Sequence, residues 1–213
     1  MAPRVKPRLL IGCVGDRFMP GVKESIMDAT EAFKRVGEAE MVIQPPITVL
    51  PYFGLATMRN RICMKAVEDK FDYLLLLDND VTIGFSVPQL LMEQSLAIVT
   101  PRLLQNYKRH VKLSEPEFTE RDSGINLIQW QVFSCIMFSR PFLTNMVEPF
   151  LDTLCYNEEE TTFQRWRLRH WKAYQATDVG VCLLRPPTNL WEMKRDDLLR
   201  IQTPGDIEVS KIT

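Results

Sequence analysis

The run Phe71-Asp72-Tyr73-Leu74-Leu75-Leu76-Leu77-Asp78-Asn79-Asp80-Val81 constrains this chain more than any other stretch. Four leucines behind a tyrosine read as a strand buried on both faces. Two carboxylates one residue apart end it. A bare carboxylate is too costly to hold inside an apolar sheet, so both must sit where the strand emerges and meet a cation there. In an open α/β sheet, ligands bind at the carboxyl ends of the strands. Asp-x-Asp at such an end therefore suits a hard divalent ion carrying a diphosphate. Asp-Asn-Asp is also a turn tripeptide, because Asx side chains bond their own backbone. The surroundings have to decide between the two readings.

Those surroundings alternate strand and helix. Arg8 to Val14 reads as a buried first strand, closed by a loop through Gly15, Asp16 and Pro20-Gly21. Val22 to Val36 carries apolar residues at helical spacing, and Gly37 can end it. Glu40 to Gln44 reads as a second strand, Leu55 to Glu68 as a helix, and Leu74 to Leu77 as the key strand. A short helix follows from Val87 to Met92, then a strand from Ala97 to Thr100. This order predicts an α/β layered domain: a central, mostly parallel sheet with helices on both faces, placed there by right-handed crossovers. From Pro101 to Gly124 the chain turns polar without a clear period and reads as a long excursion. Strand character resumes over Ile125 to Ser139. Helices are predicted over Pro141 to Leu151 and Glu158 to Lys172, and a last strand over Val179 to Leu184. Residues 1–185 thus form the predicted layered domain. Residues 186–213, Pro-punctuated and more polar, form a C-terminal extension that packs on it or leads to a further domain.

Bulk properties narrow the class. The 213 residues suffice for one sizeable core. A net charge of -1 argues against a nucleic-acid partner held mainly by charge. No apolar run is long enough to span a membrane, and the first residues lack a secretory h-region. The 5 cysteines are scattered and odd in number, which suits reduced thiols in a cytoplasmic protein rather than a disulfide frame. With 2 histidines, His110 and His170, there is little material for a His-based hydrolase or metal centre.

Further residues could carry chemistry. No Walker-type loop is present, and Gly12-Cys13-Val14-Gly15-Asp16 is not a Gly-x-Gly-x-x-Gly turn. Arg59 and Asn60 lie on the helix before the key strand, where an arginine can neutralise a diphosphate or simply face solvent. Glu158, Glu159 and Glu160 open a later helix, where they complement its dipole or supply a general base. Two basic clusters, Arg102 to Lys112 and Arg165 to Lys172, read mainly as solvated faces. Trp166 and Trp171 between the latter residues read as core.

In this order the first strand and loop, Arg59-Asn60, Asp78-Asn79-Asp80 and Glu159-Glu160-Thr161-Thr162-Phe163 resemble the GT-A fold, Asp-x-Asp glycosyltransferases over most of the chain. The resemblance extends to family members that glycosylate a viral major capsid protein. It implies a metal-dependent hexosyltransferase with a nucleotide-sugar donor, a UDP-sugar first of all. It implies Mn²⁺ or Mg²⁺, and a glycan or glycoprotein acceptor, on a viral capsid protein in the host cytoplasm if the closer likeness holds. Asp80 would then ligate the metal directly, and Asp78 would touch the ribose or reach the metal through water. Gly12, Val14, Gly15, Asp16, Arg59 and Asn79 would lie by the donor. Glu159, Glu160 or Asp152, in that order, would serve as base in an inverting enzyme. A histidine late in the domain often completes the family's metal shell. Val179 to Arg185 has none, and Asp178 is the nearest carboxylate. Three alternatives remain beside this one: glycosylation of modified DNA bases, a sugar-phosphate nucleotidyltransferase, and a non-catalytic nucleotide-sugar-binding module.

Overall fold

The computed structural model describes residues 6–15, 18–44, 54–105, 117–120, 124–131, 133–151 and 158–184. Its organising strand is β1 (Arg8–Val14), buried at every position after Arg8. It is flanked in parallel by β2 (Glu38–Gln44) on one side and β3 (Tyr73–Asp78) on the other. Helix α1 (Val22–Phe33) connects β1 to β2, and α2 (Leu55–Glu68) precedes β3. The first connection steps outward from β1, and the second steps back across it. With a right-handed sense for both, the two helices must land on opposite faces. They do: Leu9, Ile11, Cys13, Leu75 and Leu77 pack with α1, while Leu10, Val14, Leu74 and Leu76 pack with α2. The four leucines of β3 thus divide between two cores, as a strand buried on both faces must.

Beyond β3 the sheet changes direction. Strand β8 (Cys135–Ser139) lies antiparallel to β3 and β5 (Ile98–Gln105) antiparallel to β8, while β9 (Ala173–Leu183) runs parallel to β5. Strands β7 (Ile125–Trp130) and β6 (Glu117–Glu120) complete that side, and β4 (Val81–Ile83) pairs with the end of β9. The mostly parallel sheet expected from the sequence is therefore a mixed one. Only the β2-β1-β3 block and the β5–β9 pair are parallel. The physical reason is that β6, β7 and β8 follow one another without a helix between them. A parallel neighbour needs a crossover of a dozen residues or more, which this part of the chain lacks.

Helices do cover both faces. Helix α3 (Val87–Glu93) joins α1, while α4 (Arg140–Asn145) and α5 (Glu158–Leu168) join α2. The helix expected to reach Leu151 stops at Asn145, and Pro149 lies in the irregular stretch beyond it. The one expected to reach Lys172 stops at Leu168. There His170 turns left-handed at φ 63°, and the Trp171 N–H closes back on the Trp166 carbonyl at 3.0 Å, a C-terminal cap. Trp166 is core, as read from the sequence, packed among Phe133, Phe138, Phe142, Phe150 and Phe163.

Candidate functional site

Strand register brings the carboxyl ends of three strands level: Val14 pairs with Gln44 on one side and with Asp78 on the other. The chain order reverses at β1, so this end is a topological switch point, the usual place for a ligand crevice in such a sheet. The Asp-x-Asp residues sit there, and each is tied by its backbone to a different part of the fold. The Asp78 N–H donates to the Ser134 carbonyl at 3.0 Å, at the entry to β8. The Asn79 carbonyl accepts from the Met19 N–H at 3.1 Å, beyond β1, and the Asp80 carbonyl accepts from the Leu184 N–H at 2.8 Å, beyond β9. Asn79 and Asp80 do form a turn, the one that joins β3 to β4. It is a turn fixed from three sides.

Charge is organised around it. Asp80 is 3 % exposed. Arg59, in the second turn of α2 and also buried, sends Nη2 to Asp78 Oδ1 at 3.0 Å. Its guanidinium lies 5.3 Å from the Phe133 ring centre and 5.6 Å from that of Phe150. A planar cation held between two rings and a carboxylate has little rotational freedom, so it fixes the carboxylate in turn. Both acids project their charge onto β1: burial first, then the nearby Asp78 and Asp80, push the Cys13 thiol up to about 12. Two carboxyl groups therefore stand at one strand end, with the buried Arg59 guanidinium bonded to one of them.

The remaining expected residues are placed as follows. Gly15 (φ 136°) packs against Asn79, and a Cβ there would stand 2.6 Å from the Asn79 amide nitrogen. Gly12 lies under Ile62 and lets α2 approach β1, while Val14 is buried in the same core. Glu159 is half-buried and Glu160 exposed in the first turn of α5, followed by buried Thr162 and Phe163. Asp178 is exposed on β9 beside Gly124. Asp16, Asp152, the excursion at 106–116 and the extension at 186–213 lie outside the described residues. Among the described residues, Cys13, Cys63, Cys135 and Cys182 are free thiols, and no three His, Cys, Asp or Glu side chains gather as a metal cage. No helix among them is long and apolar enough to cross a membrane.

No protein-family model and no curated protein matches the sequence. Solved structures do. A glycosyltransferase involved in glycosylation of the major capsid of PBCV-1 superposes with a TM-score of 0.52 at 11% identity, over 92% of this chain and 100% of its own. GalNAc-T7 with UDP, GalNAc and Mn²⁺ gives 0.53 at 9%, over 85% of this chain and 44% of its own. A mutant Drosophila β1,4-galactosyltransferase 7 with manganese, UDP-Gal and xylobiose gives 0.53 at 14%, over 91% and 79%.

The chain has a glycosyltransferase fold. Within that glycosyltransferase fold, some residues that shape the site carried no signal of their own in the sequence. Phe133 and Phe150 bracket Arg59 although they are 17 residues apart in the chain, and Ser134 lends its carbonyl to Asp78. Asn60 stood in the Arg-Asn pair, but its partner is distant. The Asn60 amide and the Phe150 backbone exchange two hydrogen bonds, at 3.0 and 2.9 Å.

Proposed function

We propose that the chain is a metal-dependent glycosyltransferase that moves a sugar from a nucleotide sugar, in the first place a UDP-sugar, to a glycan acceptor. The observation that carries this reading is the pair of carboxylates at the carboxyl end of β3, one ion-paired to a buried arginine and the other buried beside it. The donor set suits the expected ion. Two hard carboxylate oxygens from one strand end are what Mg²⁺ or Mn²⁺ takes when substrate phosphates and waters complete its shell, so a protein cage of three ligands is not required. Asp80 is the direct ligand in this reading, and Asp78, already committed on one oxygen to Arg59, meets the ribose or a bound water. Bound there, the ion would stabilise charge on the leaving diphosphate.

The chain's own groups do the rest. Arg59 holds Asp78 in a fixed pose and adds positive charge beneath the diphosphate. The loop after β1, with Gly15 against Asn79 and with Asp16, borders the nucleotide, while Gly12 and Val14 shape the wall behind it. In this reading Glu159, Glu160 or Asp152 takes the proton from the acceptor hydroxyl if the enzyme inverts. The acceptor we infer is a protein-linked glycan, on a viral capsid protein by likeness to the PBCV-1 enzyme, with the reaction in the cytoplasm.

The test is calorimetric titration of UDP and UDP-sugars with Mn²⁺ and with EDTA, on the parent and on Asp80→Ala, Glu159→Gln and Glu160→Gln. Metal-dependent binding that vanishes in Asp80→Ala while the fold persists is the expected result. The base variants should keep donor affinity, and one should lose about 100-fold or more in transfer rate. Equal donor affinity in Asp80→Ala and the parent would reduce the motif to its turn.

A further inference from the structure

Residues 148–151 form neither helix nor strand, yet side chains from two helices hold the backbone of every one of them. From α2, Asn60 Nδ2 donates to the Phe150 carbonyl at 3.0 Å, and the Phe150 N–H donates to Asn60 Oδ1 at 2.9 Å. From α5, Arg165 donates to the Glu148 carbonyl at 2.8 Å and Trp166 Nε1 to the Pro149 carbonyl at 2.9 Å, while Thr162 Oγ1 accepts from the Leu151 N–H at 3.4 Å. The segment is thus a splice between α2 and α5. Its centre, Phe150, also carries the ring that lies over the Arg59 guanidinium.

Two consecutive residues of α2 therefore hold two different parts of the fold. Arg59 fixes Asp78 at the end of β3, and Asn60 fixes the segment to which α5, the helix that opens with Glu158–Glu160, is fastened. We propose that Asn60 is a positioning residue that sets α5 and its acidic first turn relative to the Asp78 end of the sheet, so that the acceptor side of the site is registered on the donor side. The inference rests on the glycosyltransferase reading for its catalytic consequence, but not for its structural content. The chemistry demands an amide. Paired with a peptide unit, the side chain must donate to a carbonyl and accept from an N–H at once. Aspartate keeps only the second bond and sets a negative charge against the Phe150 carbonyl. The pair is half-buried, so a peptide carbonyl left without its donor is destabilising.

The experiment compares the parent with Asn60→Asp and Asn60→Ala by amide hydrogen exchange, by donor binding with Mn²⁺, and by the ratio of sugar transfer to donor hydrolysis. Faster exchange at Leu151 and the first turns of α5 is expected in both variants, and at Phe150 in Asn60→Ala, which removes the acceptor of its N–H, with β1 and β3 unchanged. Donor affinity should hold within a few-fold, because Phe133 and the ion pair to Asp78 still hold Arg59 when Phe150 shifts. Transfer should fall by about 100-fold, the penalty for a misplacement of about 1 Å, while hydrolysis of the donor by water falls much less. A purely structural asparagine would instead lower donor binding, transfer and hydrolysis together, and unchanged exchange in α5 would overturn the splice outright. If the parent itself binds no nucleotide sugar, the glycosyltransferase reading fails, and the exchange data still decide the coupling.

Discussion

The buried ion pair offers the sharpest test of how the site is built. Arg59 Nη2 and Asp78 Oδ1 stand 3.0 Å apart with side chains 4% and 15% exposed. Replacing Arg59 with methionine keeps most of the stem but leaves the Asp78 carboxylate in a poorly solvated place beside Asp80. Breaking a buried pair from one side costs about 3–5 kcal/mol, and the lost stacking on Phe133 and Phe150 adds up to about 2 kcal/mol more. For a domain of this size such a loss lowers Tm by roughly 10–20 °C. Urea unfolding in EDTA measures it directly. The double variant Arg59→Met/Asp78→Asn removes the stranded charge and should lose clearly less than the sum of the two single variants, with a coupling of about 1–3 kcal/mol. Mn²⁺ supplies a second readout. If Mn²⁺ binds at this strand end as proposed, it replaces the missing charge, so Arg59→Met should gain more stability from saturating Mn²⁺ than the parent does. The reasoning is refuted if Arg59→Met costs less than about 1 kcal/mol and adds independently to Asp78→Asn, the behaviour of an exposed pair.

Two further substitutions probe the frame around that pair. Gly15→Ala places a methyl group against the Asn79 side chain at a backbone φ of 136°, so it should cost about 1–3 kcal/mol and weaken Mn²⁺-dependent UDP binding, read by thermal melting and calorimetry. Cys63 is fully buried in α2, and that burial raises its thiol above the usual 9.0. A raised folded-state value leaves stability untouched below the unfolded value and removes it as pH climbs beyond. Denaturant midpoints should therefore fall above about pH 9, and Cys63→Ala should flatten that slope even though it lowers the midpoint at neutral pH.

How much of this was legible in the chain follows from how local each feature is. Strand β1 and helix α2 run between the residues read from the sequence, because an unbroken apolar strand and a helical period carry their own boundaries. The carboxylates at the end of β3 were legible for the same reason. Strand β4 was not: three residues have no period, and it exists because β9 is there to pair with it. Strand β9 begins at Ala173, six residues before the expected Val179, since the polar Gln175 is buried there by hydrogen bonding to Gln131 at 3.0 Å. Sheet direction was misread because the parallel rhythm of the first half was carried into a second half without helices between its strands.

The site itself divides along the same line. Asp78, Asp80, Arg59 and Asn60 could be picked out as residue types, but their partnerships are long-range products of the fold. Arg59 reaches Asp78 across 19 positions, and Asn60 reaches Phe150 across 90. Crossover handedness explains why such pairings converge. It puts α2 on the face where the even-numbered positions of β1 and β3 point, and Asp78 is the even-numbered residue that ends β3. An arginine on the inner side of the second turn of α2 then has a carboxylate in front of it, and its neighbour, about 100° further round the helix, faces outward to the next layer. Adjacent residues on one helix can in this way hold two separate parts of the fold, the end of β3 and the segment around Phe150. Charge reversal across the pair, Arg59→Asp with Asp78→Arg, would be expected to restore the ion pair but not the site. The carboxylate would then belong to α2, and the strand end would present a cation where the proposed reading puts the metal ion.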